Sequence, residues 1–242
     1  MGRTLVVGDI HGGLKALLQI LERAEVTPED KIIFLGDYVD GWSDSANVVS
    51  YLIEFAKQNT CIFLRGNHDD LTHRWLKSGE LNDAWLQHGG QSSIDAYRQF
   101  SENEKEEHIA FFDQMVNYYI DKEDRLFVHA GFTNQKGPEE EYTPIPFYWD
   151  RTLWEMAMCI DPDLKPGDTE YPKRLALFKE IYIGHTPVTR IGRDTPARYA
   201  NVCNVDTGAA FMGKLSMLDV NSGELIQSEP VHSLYPNESG RN

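Results

Sequence analysis

Three features of this 242-residue chain predict an α/β fold. Short apolar runs alternate with helically spaced apolar residues through the first 65 positions. Those runs lead into glycine-containing polar clusters, and further runs of strand length recur toward the end. The length permits a large core, and one domain covering 1–242 is the expectation.

Thr4–Val7 is a continuous apolar run stopped by Gly8, the mark of a strand buried on both faces. Leu14, Leu17, Leu18 and Leu21 follow at helical spacing, and that helix must end before Pro28. The pattern repeats with Ile32–Leu35 as strand, Val48, Val49, Leu52, Ile53 and Phe55 as helix, and Cys61–Leu64 as strand. Strand–helix–strand repeats this short imply parallel pairing with right-handed crossovers. Trp75–Trp85 is mixed, whereas Ile109, Phe112, Met115, Val116 and Tyr119 form an apolar stripe that predicts a helix over 108–120. Leu126–His129 reads as the next strand. Residues 133–169, rich in Pro, Gly and acidic side chains around the aromatic stretch 147–154, read as a long excursion inserted near the active site. Ile181–Ile183, Tyr199–Val205 and Lys214–Val220 resume the sheet, and a turn at Asn221-Ser222-Gly223 returns the chain along Glu224–Ser228. From Pro230 onward the sequence is polar and reads as a trailing edge or tail.

The charge balance of 23 basic against 38 acidic residues, net -15, argues against non-specific binding to nucleic acid or to an anionic membrane. Three cysteines, Cys61, Cys159 and Cys203, are too few and too sparse for a disulfide framework. The opening MGRTLVVGDIHGG has no apolar stretch of signal-peptide length. No segment approaches the roughly 20 apolar residues of a membrane span, so a cytoplasmic protein is expected.

Five polar clusters follow the apolar runs: Gly8-Asp9-Ile10-His11-Gly12, Gly36-Asp37-Tyr38-Val39-Asp40-Gly41, Gly66-Asn67-His68-Asp69, His129-Ala130-Gly131 and Gly184-His185-Thr186. Asp9 and Asp37 are 28 residues apart and Asp37 and Asn67 are 30 apart, each one strand–helix repeat. Successive clusters can therefore reach the carboxyl edge of one sheet, where α/β folds place their sites. Asp, His and Asn without cysteine suit Mn²⁺, Fe or Zn²⁺ at a reactive centre. A natural partition sets Asp9 and His11 on one ion and Asn67, His129 and His185 on the other, with Asp37 between them. Two ions about 3.5–4 Å apart could bind the attacking and leaving oxygens of an in-line displacement. Any one cluster alone is more simply a turn. The set of five, each behind an apolar run and each with a metal-capable side chain, is not.

These ordered blocks resemble the calcineurin-like metallophosphoesterases, and within them the phosphoprotein phosphatase branch, marked by GDxHG, GDxVDRG, GNHE, HxG and GHT. The likeness spans roughly residues 3–210. It implies a metallophosphoesterase β-sandwich flanked by helices in αββα layers, a choice the strand–helix repeats leave open between a sandwich and a single open sheet. It also implies two divalent ions, with Mn²⁺ preferred, and a metal-activated hydroxide as nucleophile. His68 would be the proton donor, oriented by Asp40, since a carboxylate on one ring nitrogen fixes the tautomer.

Two positions depart from the pattern. Gly41 stands where the block has arginine, so a phosphate-holding guanidinium must come from elsewhere. Arg151, in the excursion, is the candidate replacement. Arg65 and Asn67 are further candidates for phosphate contact, although Arg65 suits bracing of the strand end as well. Arg190, after the last block, is a weaker one. Asp69 replaces Glu and directs the resemblance toward small bacterial-type members. Asp206-Thr207-Gly208-Ala209 resembles a family element that positions the final strand.

The resemblance implies a phosphoserine- or phosphothreonine-protein substrate. The alternative is a symmetrical dinucleoside tetraphosphate or another small phosphoester. Trp42, Tyr148, Trp149 and Trp154 could stack on a base, though core packing explains them more simply. A non-catalytic metal-dependent binding protein is the remaining reading, and the intact His68, Asp40 and Asp37 speak against it.

Overall fold

The computed structural model describes residues 2–241. Ten strands build two five-stranded sheets. The first contains β1 (Thr4–Val7), β2 (Lys31–Phe34), β3 (Thr60–Phe63), β9 (Lys214–Asp219) and β10 (Leu225–Pro230), in the order β10-β9-β1-β2-β3. The second contains β4 (Tyr118–Ile120), β5 (Arg125–Val128), β6 (Glu180–Ile183), β7 (Ala197–Tyr199) and β8 (Val202–Asn204), in the order β4-β5-β6-β8-β7. Strands β1, β2 and β3 run parallel, as do β5, β6 and β8, and the remaining strands pair antiparallel.

Side-chain alternation along each run explains why the strands carry no polar face. Leu5 and Val7 pack under the helices α1 (Leu14–Arg23) and α2 (Ser45–Phe55), together with Ile32 and Phe34. Val6, Ile33 and Leu35 point the other way, onto Phe127, Tyr182, Cys203 and Val205 of the second sheet. That sheet's other face, with Leu126, Val128, Ile181 and Ile183, is covered by Phe147, Leu153 and Trp154. The result is the αββα sandwich. Its middle layer includes the near-parallel stack of Phe127 on Tyr182, partners on the adjacent strands β5 and β6, 5.0 Å between centroids.

Four local readings are corrected. The helix predicted over 108–120 is Glu102–Gln114, opened by a capping box between Ser101 and Glu104. At Met115 the backbone turns extended, Val116 donates its amide to Phe63 O, and Tyr118–Ile120 becomes β4. No Gly or Pro marks that break, and the apolar spacing fits both states. Tyr199–Val205 is two antiparallel strands, turned at Ala200, whose φ is +49°. The excursion at 133–169 contains the helices Ile145–Trp149 and Thr152–Cys159, whose buried Phe147, Tyr148, Leu153, Trp154 and Ala157 complete the outer core. The segment after Pro230 does not trail away. It forms a helical turn at Val231–Leu234, stacks Tyr235 on Trp42 at 5.3 Å and runs on to Arg241.

Candidate metal centre and its crevice

Asp9, Asp37, Asn67, His129 and His185 all lie just beyond the carboxyl ends of β1, β2, β3, β5 and β6. Both sheets therefore contribute to one edge of the sandwich. The loops that carry these side chains are tight. His11, Asp37, Asp40 and His185 have φ of +50°, +53°, +67° and +67°. This left-handed region is uncommon outside glycine and costs of order 1–3 kcal/mol per residue where it occurs. Glycine is needed at Gly66 and Gly184 because a Cβ there would overlap the carboxylates of Asp37 and Asp9. Asp69 pins the second loop by accepting from the backbone amides of Gly66, Asp37 and Tyr38 at 2.8, 2.7 and 2.9 Å. That bracing role was missed in the sequence, where Asp69 stands only as a departure from Glu.

Two overlapping groups of ligand atoms result: His11, Asp37 and His68, and Asp37, His129 and His185, with the atoms of each group within 4.8 Å of one another. Asp37 belongs to both, as a bridging residue would. Its Oδ2 lies 3.5 Å from His11 Nε2 and 3.4 Å from His129 Nε2. Asn67 Oδ1 lies 3.3 Å from His129 Nε2 and 2.9 Å from His185 Nδ1. Asp9 sits at the margin, 3.9 Å from His11 Nε2, and accepts the His185 amide at 3.0 Å. His11 Nδ1 bonds Asp40 O at 2.8 Å and His129 Nδ1 bonds Leu35 O at 2.9 Å. These carbonyls hold the Nδ1 protons, so both Nε2 lone pairs face the cluster.

The electrostatics favour added positive charge. Burial, with Asp206 and Asp37 nearby, pushes the Asp9 carboxyl well above the usual carboxylate range. Burial raises Asp37 too, but the histidines 129, 68 and 11 outweigh it and hold that carboxylate well below the range. His129 loses basicity through burial and regains more from Asp37 and Asp9, reaching about 10. Burial lowers His11 and His185 strongly, keeping both rings neutral as ligands must be, and raises Asp206 to about 6. Paired buried carboxylates beside the neutral imidazoles of His11 and His185 fit divalent ions, whose positive charge would take the place of the proton that His129 holds. Among the described residues, His185 Nε2 is in addition buried without a hydrogen-bond partner.

His68 and Asp40 are joined at 2.7 Å through Nδ1, leaving Nε2 for the crevice that His68 lines. Asp40 is wholly buried and accepts also from Trp85 Nε1, Ser93 Oγ and Thr72 Oγ1. These donors come from segments in which the sequence shows no motif. Beside the cluster opens a crevice of ≈ 570 Å³ whose lining includes His68, Trp149, Arg151, His185, Arg190, Phe211 and Arg241. Arg151 reaches it as expected. Arg65 does not line it: its guanidinium bonds Phe112 O and His73 Nδ1 and lies 3.9 Å from Asp70, which makes it a brace. Of the four aromatics considered for base stacking, Trp42, Tyr148 and Trp154 are buried, while Trp149 is 44% exposed and edges onto His185. Arg241 was not foreseen, because it lies far along the chain from every motif.

Residues 2–209 match the family model for calcineurin-like phosphoesterase. Over most of the chain, similarity runs to curated bacterial proteins. The asymmetrical bis(5'-nucleosyl)-tetraphosphatase PrpE of Oceanobacillus iheyensis is 24% identical over 87% of this chain and 86% of its own. The protein of the same name from Bacillus cereus strain AH187 is 26% identical over 91% and 92%. Among solved structures, a candidate diadenosine tetraphosphatase superposes with TM-score 0.64 at 18% identity, covering 93% of this chain and 92% of its own. A serine/threonine phosphatase from Saccharomyces cerevisiae gives 0.62 at 16%, covering 94% and 80%. A cold-active protein-tyrosine phosphatase of Shewanella gives 0.59 at 14%, covering 95% and 81%.

Proposed function

The chain belongs to the calcineurin-like phosphoesterase family, and from that premise we propose that its centre hydrolyses dinucleoside tetraphosphates or related nucleoside polyphosphates. One observation carries the substrate class. The crevice beside the ligand cluster gathers three arginines, Arg151, Arg190 and Arg241, and the exposed face of Trp149, in a chain whose net charge is -15. Several guanidiniums in one crevice match a run of phosphates. An exposed indole beside them offers the flat apolar surface that a base stacks on, worth about 1–3 kcal/mol. The volume falls within the range of nucleotide-sized pockets, about 300–1,000 Å³.

The tetraphosphatase name of the whole-chain relatives supports this reading over the phosphoprotein substrate that the motif blocks suggested. The solved serine/threonine and tyrosine phosphatases, all below 25% identity, share the fold alone.

Asp9, His11, Asp37, Asn67, His129 and His185 would hold two divalent ions, which supply Lewis-acid activation of water and of the phosphoryl oxygens. The protein's own groups do the rest. Asp40 fixes the His68 ring through Nδ1, so that Nε2 presents a proton to the departing oxygen. Arg151 and Arg190 orient the phosphates from the crevice lining, and Trp149 seats a base.

The reading is tested by offering Mn²⁺-loaded protein a dinucleoside tetraphosphate, a phosphopeptide and para-nitrophenyl phosphate side by side. Preference for the dinucleotide by tenfold or more in kcat/KM is expected. Preference for the phosphopeptide would reinstate the protein-phosphatase reading. The products, mononucleotide plus triphosphate or two diphosphates, report whether cleavage is asymmetrical.

A further inference from the structure

We propose that Arg241 is a phosphate-binding residue of this centre, carried into the crevice by the segment 231–241 acting as a strap. The inference rests on the hydrolase reading above, and it concerns which residue grips the phosphate nearest the metal ligands.

The strap is anchored on two loops, at 42–44 and at 210–211. Tyr235 stacks on Trp42 and donates its hydroxyl to Asp44 at 2.7 Å. Glu238 accepts from the amide and the hydroxyl of Ser43 at 2.9 and 2.7 Å. The Arg241 amide then donates to Ala210 O at 2.8 Å, and its guanidinium lies 5.5 Å from the Phe211 ring centre. These contacts fix the backbone leading into a long cationic side chain, which lowers the entropy cost of ordering it around an anion.

The guanidinium points at the reaction centre. Nη1 lies 3.4 Å from His11 Nε2, a nitrogen that would be engaged by a metal ion. No carboxylate pairs with Arg241 among the described residues. Space for the side chain exists because Gly89 is bare: a Cβ there would stand 2.8 Å from Arg241 Cγ. Gly41 lies beside the same side chain, where a Cβ would be in ordinary contact at 3.6 Å. Gly41, with φ of +132°, is the position where the sequence lacks an expected arginine. The loop that is short of a guanidinium is thus the loop that receives one from residue 241. With His11 committed to an ion, that guanidinium loses its only side-chain acceptor among the described residues. A phosphoryl oxygen beside the metal site would take that place.

The test uses full-length Mn²⁺-loaded protein and its Arg241→Ala and Arg241→Lys variants. Inorganic phosphate binding is followed by calorimetry, alongside metal content, Tm and turnover of para-nitrophenyl phosphate. Arg241→Ala is expected to weaken phosphate binding about 10- to 100-fold, the range for a lost charge-assisted hydrogen bond, with two ions retained. Arg241→Lys should fall between Ala and wild type. Unchanged phosphate affinity in the Ala variant overturns the proposal. So does an equal loss in Ala and Lys accompanied by a lower Tm in both, since the side chain would then only hold the strap. Wild-type turnover with phosphate binding indifferent to residue 241 sinks this inference alone. Phosphate binding that depends on Arg241 without turnover of any phosphoester sinks the hydrolase reading and leaves the inference standing.

Discussion

His68 and Asp40 form a pair whose surroundings are as informative as their 2.7 Å contact. Asp40 is closed in by Trp85, Ser93 and Thr72, so its carboxylate has no freedom to follow a wandering ring. Replacing His68 with Asn removes the proton donor and keeps a small polar side chain in place. A fall in kcat of about 100- to 10,000-fold, with metal content unchanged, is expected from steady-state kinetics and elemental analysis. An unaltered kcat would remove His68 from the chemistry. At this scale much of the site was legible, because Asp9, His11, Asp37, Asn67, His129 and His185 announce themselves by chemistry and by position after apolar runs. Asp69, Trp85 and Ser93 did not. Their contributions are hydrogen bonds made by ordinary side chains, with no spacing to mark them. The left-handed backbone of His11, Asp37, Asp40 and His185 also left no distinctive sign, beyond the tolerance of Asp for that region and the enrichment of His there.

Secondary-structure elements were read well where apolar period and punctuation agreed, as in β1 through β3, and poorly where punctuation was missing. The helix Glu102–Gln114 runs into β4 through Met115 with no breaker, so the apolar stripe hid a change of state. That helix also carries a buried titratable joint. His108 bonds Ser50 Oγ on α2 at 3.0 Å and the Tyr97 hydroxyl at 2.9 Å. Burial lowers its pKa to about 4, against a smaller opposing pull from Glu104. An unfolded histidine titrates near 6.5, so between about pH 6.5 and pH 4 the unfolded chain holds a proton that the folded chain refuses. Stability is therefore expected to fall as pH drops through that window, by at most about 3 kcal/mol from this group, and to be level above it. Urea unfolding of wild type and His108→Gln checks the sign: the advantage of wild type should shrink as pH is lowered from 6.5 to 4. A difference that stays constant would show that His108 does not titrate there.

On the scale of the whole molecule, the sandwich could not be separated from a single open sheet by the sequence itself. Both architectures bury their strands on two faces, and only pairing partners distinguish them. The assembled molecule also gives segment 231–241 a destination, which a polar stretch after the last strand does not suggest. No described helix is long and apolar enough to cross a membrane. Addition of Mn²⁺ at about 100 times its dissociation constant is expected to stabilise the fold by about 2.7 kcal/mol per site, raising Tm by roughly 5–10 °C. Calorimetric scans with and without chelator check this, and an identical Tm would mean that the ions do not bind the native state selectively.

The contribution of ligands from both sheets has a further consequence. Asp9 and Asp37 follow strands of one sheet and His129 and His185 follow strands of the other, so the group Asp37, His129 and His185 spans both sheets, whereas His11, Asp37 and His68 all follow strands of the first. An ion held by the spanning group would be a rivet through a seam, seated only after the two halves have closed. Its capture would then be a late event in folding and a gauge of how well the halves meet. Damage to the seam itself, such as Tyr182→Ala beside Phe127, should appear in the test tube as a leaky metal site before it appears as an unfolded protein.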